Sequence, residues 1–372
     1  MSADDRDVPR PHPQPRAAVR GLPLYAPDVA ASTVDVSENV NLWGSPPASL
    51  RALAAAPAER VNRYPSLHST PLHDAVLDYL GLSATSGVGL VTGCGSDDVL
   101  DAAIRAFGEP GDEVAFAAPT FVMIPIFTRL NGLVPAVVPM GPSYEVDPQQ
   151  LVDRRAKITY LCTPNNPTST AMSRQAVEYV VEHAAGLVVL DEAYAEFAPD
   201  VFTSLVTRSD RLLVTRTFSK AFGLAGLRVG YGVGSSAIVD AVMRARGPYK
   251  VNALAEAAAV AALSDGPGAL GWVTEHATLA VTIRERLASA LRELGFEPAP
   301  SAGNFLFVPT SRAPAIARGM RERGVLVRAL SGLPHDVPAV RAAEGHALRI
   351  GVGPWASMEL LLDALREVLA CA

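Results

Sequence analysis

The feature that most limits how this chain can fold is a series of short, valine-rich apolar segments between residues 86 and 233, separated by amphipathic stretches. Val88–Thr92, Glu113–Ala117, Val134–Val138, Ile158–Thr163, Leu187–Leu190, Leu212–Phe218 and Arg228–Val233 read as strands. Helical spacing lies between them, as in Asp97–Phe107, where Val99, Leu100, Ala103, Ile104 and Phe107 share one face. Strands apolar on both faces need cover on both, and helical crossovers supply it. The pattern therefore predicts an α/β fold whose large domain has a mainly parallel sheet flanked by helices. In such sheets the ligand site lies beyond the carboxyl ends of the strands.

Beyond about residue 253 the pattern changes. Ala253–Leu263 and a stretch from about Gly271 to Leu294 read as long helices. Short strands follow at Asn304–Val308, Val325–Arg328 and Leu348–Val352, then a terminal helix near Met358–Leu369. Residues 329–345, with Gly332, Pro334 and Pro338, read as a loop. The expected organisation is a Pro/Arg-rich disordered tail over 1–20 and an N-terminal arm over 21–50 packing on the small domain. A large domain over 51–252 and a smaller α+β C-terminal domain over 253–372 complete it.

Composition narrows the partners. Hydrophobic content of 49% with 19% charged residues describes an ordinary globular chain. A net charge of −6 with no basic stripe argues against nucleic acid. Cys94, Cys162 and Cys371 are too few and too scattered for a disulfide framework or a zinc site, which favours a reducing compartment. No apolar run approaches bilayer length, and the first twenty residues lack an apolar signal core. A cytoplasmic enzyme without metal or membrane partner is expected.

The chemistry centres on Lys220, within Thr217-Phe218-Ser219-Lys220-Ala221-Phe222-Gly223. An amine among small and apolar residues is poorly solvated, which lowers its pKa and makes it nucleophilic toward aldehydes. Thr217, Ser219 and Arg228 beside it form a phosphate cradle, which together with the amine is what pyridoxal phosphate requires. Gly93-Cys94-Gly95-Ser96-Asp97-Asp98 joins a strand to a helix and offers free amides as a second wall. Asp191 closes a buried apolar strand, where a carboxylate needs a cationic partner such as a protonated pyridine nitrogen; a helix N-cap is the simpler alternative. Tyr194 lies three residues on, within reach of a ring oxygen. In Cys162-Thr163-Pro164-Asn165-Asn166-Pro167-Thr168 two prolines leave Asn166 as a rigid amide, unless the segment is a plain turn. Arg349 and Arg328 sit in apolar strands and suit anion binding or an internal salt bridge.

Taken together, the chain resembles the fold-type-I pyridoxal-phosphate-dependent aminotransferases, and within them the histidinol-phosphate aminotransferases. The motifs that carry the resemblance run in order from Arg63-Tyr64-Pro65 through Pro119-Thr120-Phe121 and Asp191-Glu192-Ala193-Tyr194 to Leu348-Arg349-Ile350. The resemblance implies that Lys220 bonds to the cofactor aldehyde and shuttles the proton, that Asp191 pairs with the pyridine nitrogen, and that Asn166 and Tyr194 hold the phenolic oxygen. It places Gly95, Ser96, Thr217, Ser219 and Arg228 around the phosphate, joined by Tyr64 from a second subunit of a homodimer, counts Asp97 among the cofactor-binding residues, and stacks Phe121 on the ring. Arg349 would take the substrate carboxylate and Arg328 a distal anion, and the segment with Trp43 would line the substrate pocket. The implied activity is transfer of an amino group between an amino acid, glutamate as one partner, and a 2-oxo acid or phosphorylated carbonyl. A decarboxylase of the same fold, similar to threonine-phosphate decarboxylases, shares this cofactor shell. A cofactor-sensing regulator would need a DNA-binding domain, for which the segment ahead of the fold leaves no expected room. Ser169 departs from the pattern, standing where a glycine usually follows Asn-Pro-Thr.

Overall fold

A computed structural model describes residues 13–22, 31–57, 60–83 and 87–371. Seven strands form the central sheet in the order Val88–Gly93, Gly230–Ser235, Leu212–Thr217, Leu187–Asp191, Ile158–Cys162, Glu113–Ala118, Val134–Pro139. Six of them run in one direction. Gly230–Ser235 alone is antiparallel to its neighbours, pairing Thr92 with Tyr231 on one side and Val214 with Val233 on the other. Each strand side feeds a different core. Leu161, Val188, Leu190 and Val214 pack into one apolar cluster, while Tyr160, Cys162, Val189 and Leu213 pack into another on the opposite face. Apolar residues on both faces are thus the reason the sheet is sandwiched between helices.

Two smaller sheets lie outside this layer. Val34–Asp35 pairs in parallel with Val325–Leu326. Phe305–Pro309, Ala347–Gly351 and Arg328–Leu330 form an antiparallel sheet, with Arg349 opposite Phe307 on one side and Arg328 on the other. A separate cluster containing Val34, Leu306, Ile316, Leu348, Ile350 and Leu361 lies behind it.

Several expectations shift. The strand predicted at Val325–Arg328 divides, because Val325–Leu326 and Arg328–Leu330 pair with different partners. The predicted loop 329–345 carries the end of that second strand and a helix over Pro338–Ala342, anchored by buried Val337 and Val340 against Phe307 and Tyr144. Arg228 precedes its strand rather than opening it, since the chain turns there with φ +54°. Ala253–Leu263, assigned in sequence to the small domain, buries Ala255, Ala258, Ala259 and Ala262 in the large core instead. Its alanine-rich surface lets the helix Pro47–Ala54 approach closely, and Ser49 Oγ donates to Ala258 O at 2.8 Å. The predicted tail lies outside the described residues up to residue 12. Beyond it Ala17–Arg20 form one helical turn rather than disordered chain.

Candidate active site

Three parallel strands end side by side and present Asp191, Cys162 and Thr217 at their carboxyl termini. A cavity of about 520 Å³ opens there. Asp191, Asn166, Tyr194, Phe121 and Lys220 line one part of it, and Ser96, Asp97, Thr217, Ser219 and Arg228 another. Among the described residues this places most of the sequence-predicted site in one space.

Lys220 Nζ donates to the Glu38 carbonyl oxygen at 3.2 Å and stands 5.7 Å over the Tyr194 ring. Burial, then the charge of Arg349, lowers its pKa from 10.5 to about 8. A substantial fraction of the amine is therefore neutral and nucleophilic near physiological pH. Asp191 is 3% exposed and its pKa is pushed up to about 6, chiefly by burial. Tyr160 Oη donates to its Oδ2 at 2.9 Å, the Ala193 N–H to Oδ1 at 3.1 Å and Thr215 Oγ1 to Oδ1 at 3.4 Å. The Ala193 contact closes a local turn and is not a helix N-cap, since the next helical turn, Ala195–Phe197, is preceded by Tyr194. It does not supply the cation that a buried carboxylate calls for.

The turn after Cys162 divides its two asparagines. Asn165 is structural: its Nδ2 donates to Pro119 O at 2.9 Å and its Oδ1 accepts from Thr120 Oγ1 at 2.8 Å, which fastens the Phe121 loop. Asn166 faces the cavity and accepts from Arg349 Nη1 at 3.0 Å, while Arg349 Nη2 donates to Ser37 O at 2.6 Å.

On the opposite wall, Asp98 accepts from the Cys94 N–H at 3.1 Å and from Lys250 Nζ at 2.8 Å, which fixes the glycine turn. Gly95 adopts φ +80°, and a Cβ there would lie 2.6 Å from Arg228 Nη2. Arg228 Nη2 meets Asp97 Oδ2 at 3.4 Å and its Nη1 meets Ser219 Oγ at 3.5 Å. Free amides at the start of the helix Ser96–Phe107, two hydroxyls and this guanidinium converge as a phosphate site does.

Over residues 31–365 the chain matches the family aminotransferase class I and II. The chain belongs to that family. It is a pyridoxal-phosphate-dependent aminotransferase. A histidinol-phosphate aminotransferase of Roseiflexus castenholzii is 36% identical over 348 residues, covering 90% of this chain and 89% of its own. One from Thermoanaerobacter pseudethanolicus is 32% identical over 317 residues, covering 84% and 86%. The crystal structure of histidinol-phosphate aminotransferase from Sinorhizobium meliloti, in complex with pyridoxal-5'-phosphate, superposes with a TM-score of 0.80 at 26% identity, covering 91% of this chain and 92% of that one. The decarboxylase alternative finds no support among these relatives.

The aminotransferase's own residues fit the cofactor. Among the described residues the buried Asp191 carboxylate has no cationic partner, which a pyridinium would supply, the pKa of the Lys220 amine is depressed, and the bare Gly95 lets Arg228 approach the phosphate wall where a Cβ would collide with it.

Not every expected residue reaches the cavity. Trp43 is a correction: its ring meets His276 at 6.0 Å and packs between two apolar clusters, while Glu38 and Val40 of the same segment face the cavity. Arg328 lies 3.8 Å from Glu38 Oε1, the internal ion pair held open as its alternative. Tyr64 is 83% exposed and stacks on Tyr249 at 4.7 Å, away from the cavity. Sequence reading missed Tyr160, whose hydroxyl in an otherwise apolar strand was a signal that a buried polar partner must be near.

Two outcomes follow. Gly95→Ala forces a left-handed alanine against Arg228 and should weaken cofactor binding by about tenfold or more. Fluorescence titration of the apoprotein with pyridoxal phosphate measures it, and unchanged affinity contradicts the cradle. The rate of cofactor uptake should rise with pH around a midpoint near 8, because only the neutral amine attacks the aldehyde. Stopped-flow absorbance reads that rate; a midpoint near 10.5 contradicts the depressed amine.

Proposed function

We propose that this aminotransferase moves an amino group between an amino-acid donor, glutamate foremost, and a 2-oxo acid or phosphorylated carbonyl acceptor of the histidinol-phosphate type. The observation that carries the reading is the Arg349 guanidinium, held 3.0 Å from Asn166 beside the Lys220 amine. Its planar fork suits a substrate carboxylate or phosphate bidentately. Names of the relatives add support for the phosphorylated acceptor.

Bound pyridoxal phosphate supplies an electron sink for the bonds at the substrate Cα. Lys220 Nζ then holds and returns the proton at that carbon. Asp191 would pair with the ring nitrogen and keep the ring positively charged, and Asn166 and Tyr194 would hold its phenolic oxygen. Ser96, Thr217, Ser219 and Arg228 would hold the phosphate end, with Asp97 orienting the Arg228 guanidinium, and Phe121 would lie beside the ring. Arg328 serves a distal anion once Glu38 yields it.

The working unit in this reading is a homodimer, with Tyr64 reaching across a twofold interface toward the phosphate of the other subunit. An aromatic side chain left 83% exposed supports it. Three free cysteines fit a cytoplasmic location. Among the described residues no helix is long and apolar enough to cross a membrane.

Half-reactions of the holoenzyme with a panel of amino acids and histidinol phosphate test the reading by absorbance. Conversion to the pyridoxamine form by glutamate and by histidinol phosphate is expected. Conversion by neither overturns the assignment.

A further inference from the structure

Ser169 occupies a backbone position that favours glycine: its φ is +63° and the residue is fully buried, at 0% exposure. Its contacts account for a serine there. The Ser169 N–H donates to Asn165 O at 2.7 Å, and its carbonyl accepts from the Ala302 N–H at 2.7 Å. The hydroxyl accepts from the Gly303 N–H at 3.0 Å and lies 2.9 Å from Ser301 Oγ. Ser301 spends its single hydrogen on Phe305 O at 2.7 Å, so Ser169 is the donor in the hydroxyl pair. The fit leaves no slack, since a Cβ on Gly303 would stand 2.8 Å from Ser169 Oγ.

This tie joins two parts of the site. Asn166 lies three residues before Ser169 on one side. On the other, Ser301 and Gly303 lead into the strand Phe305–Pro309, whose Phe307 pairs with Arg349. Arg349 Nη1 returns to Asn166 Oδ1 at 3.0 Å and closes the circuit.

We propose that Ser169 is a positioning residue that, through its hydroxyl bonds to the 301–303 loop, sets Asn166 against Arg349 and so tunes how tightly the substrate anion is held. The proposal rests on the reading of Arg349 as the anion-binding group. Ser169→Gly suits the backbone angle and removes the hydroxyl together with its Cβ, and Ser301→Ala removes its acceptor.

The test measures kcat and KM of the holoenzyme for the best amino donor of the panel, beside cofactor affinity and thermal midpoint. Each variant should raise KM by about tenfold while kcat stays within about threefold and cofactor affinity within about twofold. The double variant should be no worse than either single one, because both remove the same link. An unchanged KM in Ser169→Gly, where Arg349→Ala raises it, overturns the proposal. So does a joint fall of kcat, cofactor affinity and thermal midpoint, which marks a purely structural bond. If Arg349→Ala itself leaves KM unchanged, the reading of Arg349 fails and this proposal with it, a result told apart by the arginine variant alone.

Discussion

Lys220→Ala should fold normally and lose turnover by at least about 10³-fold, even with saturating cofactor. The lost amine removes both the covalent attachment and the group that moves the proton at the substrate carbon, and positioned proton transfer alone is worth roughly 10²–10⁴-fold. Folding should survive because the amine makes one hydrogen bond, to Glu38 O at 3.2 Å, against the opposing charge of Arg349. Steady-state kinetics and urea unfolding of the apoprotein read the two halves separately. Turnover within about tenfold of the parent contradicts the role given to Lys220. Collapse of the fold contradicts the argument that the amine is held at a cost.

Asp191→Asn should lower kcat by about 10²–10³-fold while leaving the apoprotein folded. Asparagine keeps the shape but loses the charge that pairs with the ring nitrogen. The same substitution has a signature without cofactor. Folding raises the Asp191 pKa from its ordinary 3.8 to about 6, so the folded state binds more protons than the unfolded one between those values. Stability is therefore greatest below pH 4 and is lost as pH rises through about 6, a contribution on the order of 3 kcal/mol. Asp191→Asn should remove that loss, and urea midpoints between pH 4 and 7 measure it. An unchanged pH slope would mean the carboxylate is better solvated than its 3% exposure implies.

Much of this molecule was legible in its residues, and the parts that were not have identifiable causes. The central strands could be read because valine and leucine fill both sheet faces, a composition that few other structures accommodate. Asp191 stood out as a charge closing an apolar run. Lys220 stood out through its small and apolar neighbours. Tyr160 escaped because an aromatic ring in a buried strand looks like core, and only the register that sets Cys162 beside Asp191 brings its hydroxyl to the carboxylate. Ala253–Leu263 was misplaced because an alanine-rich helix has no distinct apolar face and carries no mark of which core it joins. The division of Val325–Leu330 between two sheets depends on partners at Val34 and Ala347, far away in sequence. Trp43 went to a packing site because Val40 and Glu38, not the large ring, face the cavity.

The chemistry of this site rests on a covalent bond at one nitrogen. Borohydride reduction of the purified holoenzyme, followed by proteolysis and mass spectrometry, locates that bond directly. The reduced cofactor should be found on the peptide containing Lys220 and on no other lysine peptide. Label at a different lysine, or a protein that takes up no cofactor at all, would contradict it.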